Sequence, residues 1–110
     1  MHFCITATYT AQALAAILDN PNSNRRAAIE ALLNAAGGKL VSLYRTIADG
    51  PGVLCIIDAD PLTAPAINAV VVSTGAFKSF TMTRLFTDEE TTAVRQKAIA
   101  IRAAYKPPGQ

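Results

Sequence analysis

The segment Gly37-Gly38-Lys39-Leu40 marks the sharpest change of pattern in this chain of 110 residues. Over about residues 23–36, apolar side chains recur at the spacing of a helix, whereas the residues after this segment follow the alternating pattern of a strand. Gly37 suits the left-handed conformation that ends many helices, because it has no Cβ to clash there. The segment therefore predicts a helix-to-strand switch, around which the other elements can be ordered.

Periodicity, caps and turn residues predict the remaining elements. Strands are predicted at residues 2–9, 40–46, 53–58 and 77–86. Helices are predicted from the cap Thr10 to Leu18, at 23–36, at 64–74, and from the capping box Thr87-Asp88-Glu89-Glu90 to about Ala104. Asp49-Gly50-Pro51-Gly52 has the composition of a turn, so the second and third strands should form a hairpin.

The order of these elements predicts an α+β fold. A β-α-β-β-α-β order with right-handed crossovers gives a ferredoxin-like sandwich, in which strands one and three are central and the helices cover one face of the sheet. The helix after strand four is an addition to that sandwich. We expect a single domain over residues 1–105, followed by a flexible tail at 106–110.

The two faces of the predicted sheet differ in polarity. The helix-packed face is expected to carry Phe3, Ile5, Ala7, Val41, Leu43, Leu54, Ile56, Phe80 and Met82. The opposite face would then carry small or mildly polar residues and no charge, namely His2, Cys4, Thr6, Thr8, Ser42, Tyr44, Val53, Cys55, Ile57, Ser79 and Thr81. Such a face suits packing against a second sheet around a cavity, which predicts a symmetric homodimer.

Several short motifs, taken in order, resemble the GYD-domain family. They are Tyr9-Thr10, Arg25 or Arg26, Gly37-Gly38-Lys39-Leu40, Tyr44, Thr46, Asp58, Gly75, and Thr87 with Glu90. The resemblance covers about residues 3–92 and implies a dimeric α/β barrel, in which two four-stranded sheets pack face to face. One segment departs from the family pattern, because residues 48–52 read Ala-Asp-Gly-Pro-Gly where a Gly-Tyr-Asp sequence is expected.

Candidate ligand-pocket residues are the hydroxyl, thiol, phenol and imidazole groups of the uncharged face: His2, Cys4, Thr6, Ser42, Tyr44, Cys55 and Thr81. His2 carries an imidazole, the side chain that most often serves as a general base, and Tyr44 could hydrogen-bond an oxyanion. Cys4 and Cys55 are predicted on neighbouring strands, either as buried thiols or as a redox pair. A metal site is not expected, since at most three ligands can be assembled where about four are needed.

Composition narrows the functional classes. A net charge of +2 is too small to indicate nucleic-acid binding, and no apolar run approaches the ~18 residues of a membrane span. We expect a cytoplasmic protein without a cofactor. Three functions stay open: binding of a small, partly apolar organic molecule, cofactor-independent monooxygenase or isomerase activity, and an assembly or accessory role acting through the last helix.

Overall fold

The computed structural model describes residues 1–48 and 50–110, and it contains one four-stranded sheet among them. The elements in chain order are β1 (His2–Tyr9), α1 (Ala11–Asp19), α2 (Arg25–Ala35), β2 (Lys39–Thr46), β3 (Gly52–Asp58), α3 (Thr63–Ser73), β4 (Phe77–Leu85) and α4 (Asp88–Ile101), followed by a 3-10 turn at Arg102–Ala104. The strands lie in the order β2-β3-β1-β4, and each neighbouring pair is antiparallel. This order confirms the predicted ferredoxin-like α+β fold.

Local side-chain chemistry begins and ends the helices where the sequence indicates. The Thr10 hydroxyl accepts a hydrogen bond from the backbone N–H of Ala13, and the Asn24 side chain accepts one from Ala27. At the end of α2, Gly37 has φ of 77°, and the N–H of Gly38 donates to the carbonyl of Leu33 at 2.8 Å. These contacts satisfy backbone groups that a helix terminus otherwise leaves without partners.

The core lies between one face of the sheet and helices α2 and α3. Phe3, Ile5 and Ala7 of β1 are buried there, as the sequence predicts. Leu33 of α2 and Ile67 of α3 pack against them from the helix side. The predicted apolar stripe of α2 therefore faces the sheet.

The orientation of β3 differs from the prediction. Val53, Cys55 and Ile57 are buried in the core, whereas Leu54 and Ile56 lie on the opposite face. The run Val-Leu-Cys-Ile-Ile is apolar throughout, so its own pattern does not select a face. Pairing with β1 selects it, because residues directly opposite one another share a face and Ile5 pairs with Cys55.

A β-bulge explains a second difference, in β2. Leu40 pairs with Ile57 and Ser42 pairs with Ile56, so the intervening Val41 has no direct partner and is 51% exposed. Leu40 packs against the core in the place predicted for Val41. The predicted hairpin between β2 and β3 is present, although Asp49 of its turn lies outside the described residues.

Helix α4 begins at the predicted capping box. The Thr87 hydroxyl accepts from the Glu90 N–H at 3.1 Å, and the Glu90 carboxylate accepts from the Thr87 N–H at 3.1 Å. A guanidinium nitrogen of Arg84 on β4 donates to the same carboxylate at 2.6 Å. These contacts, with the Thr87 N–H hydrogen bond as the largest cause, lower the pKa of Glu90 below its usual value.

We expect the start of α4 to loosen when Glu90 is protonated. A lowered pKa means that the carboxylate stabilises α4 fully above its ordinary pKa, and that this stabilisation disappears as pH falls through the lowered value. The Thr87 amide proton, followed by NMR from pH 7 to pH 2, should therefore shift with a midpoint below the ordinary pKa of a glutamate. In Glu90→Gln the amide oxygen can still accept the hydrogen bond, so the titration should vanish while the helix remains. A midpoint at or above the ordinary value would contradict the assignment.

Candidate functional site

The face of the sheet opposite the helices, here called the open face, carries exposed and half-buried side chains in the described residues. Residues paired on neighbouring strands point to the same side, so the strand register arranges this face in rows. Read from β2 through β3 and β1 to β4, the rows are Lys39-Asp58-His2-Leu85, Ser42-Ile56-Cys4-Thr83, Tyr44-Leu54-Thr6-Thr81 and Thr46-Gly52-Thr8-Ser79.

The register places most of the predicted pocket residues together on the open face, namely His2, Cys4, Thr6, Ser42, Tyr44 and Thr81. Cys55 is not among them, because it is 4% exposed in the core on the helix side. The prediction that Cys4 and Cys55 share a face is therefore wrong. Cys4 pairs with Ile56 and Cys55 pairs with Ile5, so the two thiols leave the sheet in opposite directions.

Burial changes the chemistry of Cys55. Desolvation is the main cause that raises the pKa of its thiol to about 11, and neighbouring Cys4 adds to the rise while Arg45 opposes it. The reactive form of a cysteine is the thiolate, so Cys55 is a poor nucleophile near neutral pH. The side chain acts as part of the core.

We expect Cys55 to resist alkylation in the folded chain. With Cys4 replaced by alanine, iodoacetamide should modify Cys55 at pH 8 about a hundredfold more slowly than an unperturbed thiol, because the thiolate fraction falls in that proportion. Mass spectrometry of the quenched protein gives the rate, and the same chain in concentrated urea serves as the control. Modification at the ordinary rate under native conditions would contradict burial of Cys55.

The centre of the open face combines apolar and hydroxyl groups. Leu54 and Ile56 lie on the central strand β3, flanked by the side chains of Tyr44, Ser42, Thr6 and Cys4. The Tyr44 side chain is 63% exposed, so its phenol is free to reach a partner molecule. Elsewhere on this face the hydroxyls of Thr8 and Ser79 hydrogen-bond to each other across the strands. In the two central rows, hydrogen-bonding groups therefore flank an apolar surface.

Leu54 and Ile56 are the site residues that the sequence analysis missed. Asp58 offered a signal for them, because Leu54, Ile56 and Asp58 are spaced two residues apart in β3 and therefore point to the same face. A charged side chain at the end of a strand belongs on the face away from the core. Placing Asp58 on that face would have placed Leu54 and Ile56 there too.

One end of the open face carries charge, which the sequence analysis did not predict. Asp58 lies in the same row as Lys39 and His2, and its carboxylate contacts the terminal ammonium of Met1 at 2.9 Å. This hydrogen bond is the main cause that lowers the pKa of Asp58. The uncharged character predicted for the whole face therefore holds for its three other rows.

The two candidate acid–base groups are far apart within one chain. His2 and Tyr44 lie two rows apart along the strands, which is about 13 Å, and on strands that are not neighbours. Hydrogen-bond reach is about 3 Å. One chain alone therefore does not bring these two groups to the same reacting atom.

A small apolar hollow lies on the other side of the sheet, between β3 and helices α2 and α3. Its volume is about 60 Å³, and Cys55, Leu33, Ile67 and Phe80 are among its lining residues. Pockets for small organic ligands usually have volumes of about 300–1,000 Å³. The hollow is too small for such a molecule, so the open face is the better candidate site.

Within residues 1–48 and 50–110, His, Cys, Asp and Glu side chains do not gather in any group of three or more that could hold a metal ion. In the same residues, the helices are all too short or too polar to cross a membrane.

Comparison with known proteins identifies the family. A family model for the GYD domain matches residues 3–94, which is most of the chain. A search of curated proteins finds no match. The family match agrees with the motifs from Tyr9-Thr10 to Glu90 and with the observed strand order. The chain belongs to the GYD-domain family.

Proposed function

We propose that this protein is a homodimer whose two open faces pack against each other and hold a small, partly apolar organic molecule between them. The observation that carries the proposal is the open face, where Leu54 and Ile56 are only half-buried in the described part of the chain. The pocket would be lined by His2, Cys4, Thr6, Ser42, Tyr44 and Thr81, with Leu54 and Ile56 as its floor. Cys55 has no part in it.

The exposed surface of the chain supports a partner of substantial size. A monomeric protein of 11.6 kDa exposes about 5,800 Å². This chain exposes 7766 Å², about 1,900 Å² more than that. A standard interface buries about 800 Å² of each partner, and obligate homodimers bury more. The surplus is therefore large enough for a stable homodimer.

The chemistry of the central rows restricts the ligand. Since Ser42-Ile56-Cys4-Thr83 and Tyr44-Leu54-Thr6-Thr81 contain no Asp, Glu, Lys, Arg or His, the desolvation of a highly charged ligand would be poorly compensated there. Leu54 and Ile56 favour an aliphatic or aromatic body, and the Tyr44 phenol favours one or two polar substituents on it. We therefore infer an uncharged or weakly acidic organic molecule, bound in the cytoplasm.

Native mass spectrometry of protein purified gently from its own host tests this function. A dimer with additional small-molecule mass is expected, and that mass should be absent from an Ile56→Asp chain prepared in the same way. A dimer that carries no added mass and binds nothing in a screen of small organic compounds would contradict the ligand. A monomer would contradict both the dimer and its pocket.

A further inference from the structure

A hollow separate from the open face lies where α1, the start of α2 and the end of β1 meet. Its volume is about 350 Å³, which is within the usual range of about 300–1,000 Å³ for ligand pockets. It is called the α1 hollow here, and its lining residues include Tyr9, Ala13, Ile17, Asn20, Ser23 and Arg25. Because Tyr9 packs against the core on the helix side of the sheet, a dimer formed through the open faces does not use this hollow.

Backbone hydrogen bonds hold the walls of the α1 hollow in place. The N–H of Thr10 donates to the carbonyl of Ala76 at 2.9 Å, which ties the start of α1 to the residue before β4. The N–H of Ser23 donates to the carbonyl of Asn20 at 3.1 Å, which folds the turn between α1 and α2. The hollow therefore lies between segments that the fold already fixes relative to one another.

Four polar side chains line the α1 hollow and have no partner in the described part of the chain. They are those of Tyr9, Asn20, Ser23 and Arg25, and none of them takes part in a hydrogen bond or an ion pair there. The Tyr9 ring stacks on Phe77 with 5.0 Å between the ring centroids. All four side chains can donate a hydrogen bond, and Arg25 is always charged. The hollow therefore suits a ligand group that accepts several hydrogen bonds.

Charge distinguishes the α1 hollow from two larger hollows on this chain. Among its described lining residues there is one guanidinium, that of Arg25, and no carboxylate. The two others have volumes of about 540 Å³ and 610 Å³, and Asp60 lines both of them. The Asp60 carboxylate already accepts hydrogen bonds from Leu62 and Thr63, and it would repel a bound anion. Of these three hollows, the α1 hollow alone favours an anion.

Apolar surface in the same hollow restricts the anion further. Ala13, Ala16 and Ile17 of α1 line one side of it, and Ala76 lines it as well. These residues can cover a hydrocarbon body, whereas an inorganic anion would lose hydration against them without compensation. A carboxylate matches the fork of a guanidinium, to which it binds through two parallel hydrogen bonds.

We propose that the α1 hollow binds a small organic carboxylate. Arg25 holds the carboxylate group, and the hydroxyls of Tyr9 and Ser23 donate further hydrogen bonds to it. The aliphatic or aromatic body of the ligand lies against Ala13 and Ile17. Of the two arginines that the sequence motif leaves open, the structure places Arg25 at the hollow, while Arg26 is not among its lining residues.

An NMR titration of the whole ¹⁵N-labelled chain with benzoate tests this site. At constant ionic strength, benzoate should shift the amide signals of Ala13, Ile17 and Ala76 with a dissociation constant of about a millimolar. Benzamide has the same shape without the charge, so it should bind about tenfold more weakly. If benzoate causes no saturable shift, or shifts only residues of the open face, the proposal is wrong.

Matched variants separate a built site from general attraction to a basic chain. Arg25→Gln should weaken benzoate binding about tenfold, whereas Arg26→Gln removes the same charge one residue away and should leave binding unchanged. Ala16→Met fills the hollow from an exposed position of α1 and should abolish the saturable shifts in a folded chain. Equal losses in the two arginine variants would contradict the site. Ile56→Asp should bind benzoate normally, and loss of binding there would assign the shifts to the open face instead.

Discussion

Replacing Gly52 with alanine is expected to destabilise the fold by more than about 3 kcal/mol. A Cβ placed on Gly52 would lie 1.9 Å from the carbonyl oxygen of Ala7 and 2.8 Å from the Cα of Thr8. Both atoms belong to the backbone of the central strand β1, so no change of rotamer can relieve the contact. The pairing of β1 with β3 would have to open at this position, which adjoins the core.

Urea unfolding of the Gly52→Ala chain measures this loss, with Gly75→Ala as the matched control. Gly75 has φ of 74°, and a Cβ there would meet no atom within 4 Å. Its substitution therefore adds backbone strain of about 1–2 kcal/mol without a steric contact. The close approach of Gly52 to the β1 backbone predicts that the Gly52→Ala chain unfolds at a lower urea concentration than the control, or does not fold at all. Equal midpoints for the two variants would show that β1 can move away from position 52.

Ile56→Asp is expected to abolish pairing through the open face while leaving the single chain folded. Ile56 faces away from the core, so an aspartate there remains hydrated in the monomer. In the proposed dimer two such carboxylates would be buried near each other, at a cost of several kcal/mol for each. The dissociation constant should rise at least about a hundredfold, which corresponds to ~2.7 kcal/mol.

Two measurements on the Ile56→Asp chain distinguish the open face from other contacts. Sedimentation gives the change in mass, and the alkylation rate of Cys4 reports whether the open face is covered, since Cys4 occupies the same row. The rate should rise in Ile56→Asp and stay low in Val70→Asp, which changes an exposed apolar residue of α3 instead. If the Ile56→Asp chain keeps the mass of the unchanged protein and its Cys4 is still alkylated slowly, the face-to-face dimer is contradicted.

The sequence predicted the elements well because their boundaries depend on local chemistry. Thr10, Gly37 and the Thr87–Glu90 capping box act within one or two helical turns, and each does in the structure what its residue type favours. The strand order followed from the sequence of elements and the handedness of crossovers. These features need no knowledge of distant contacts.

The candidate site was predicted less completely because it depends on register. For β1, alternation of apolar and polar residues separated Phe3, Ile5 and Ala7 from Cys4 and Thr6 correctly. For β3, the residues from Val53 to Ile57 are all apolar, so that signal is absent. The prediction therefore placed Cys55 on the open face and Leu54 and Ile56 on the helix-packed face, which is the reverse of the observed arrangement. A shift of one position moves every side chain of a strand to the other face.

The amino-acid sequence alone determined the family, the order of helices and strands, and the uncharged centre of one sheet face. Tertiary structure alone decided that Cys55 belongs to the core, that Val41 is bulged out of β2, and that α4 buries none of its residues against the described part of the chain. The physical reason is the range of the interactions. Caps and periodicity act between residues that are close in the chain, whereas strand phase and helix docking depend on contacts between segments that are distant in it.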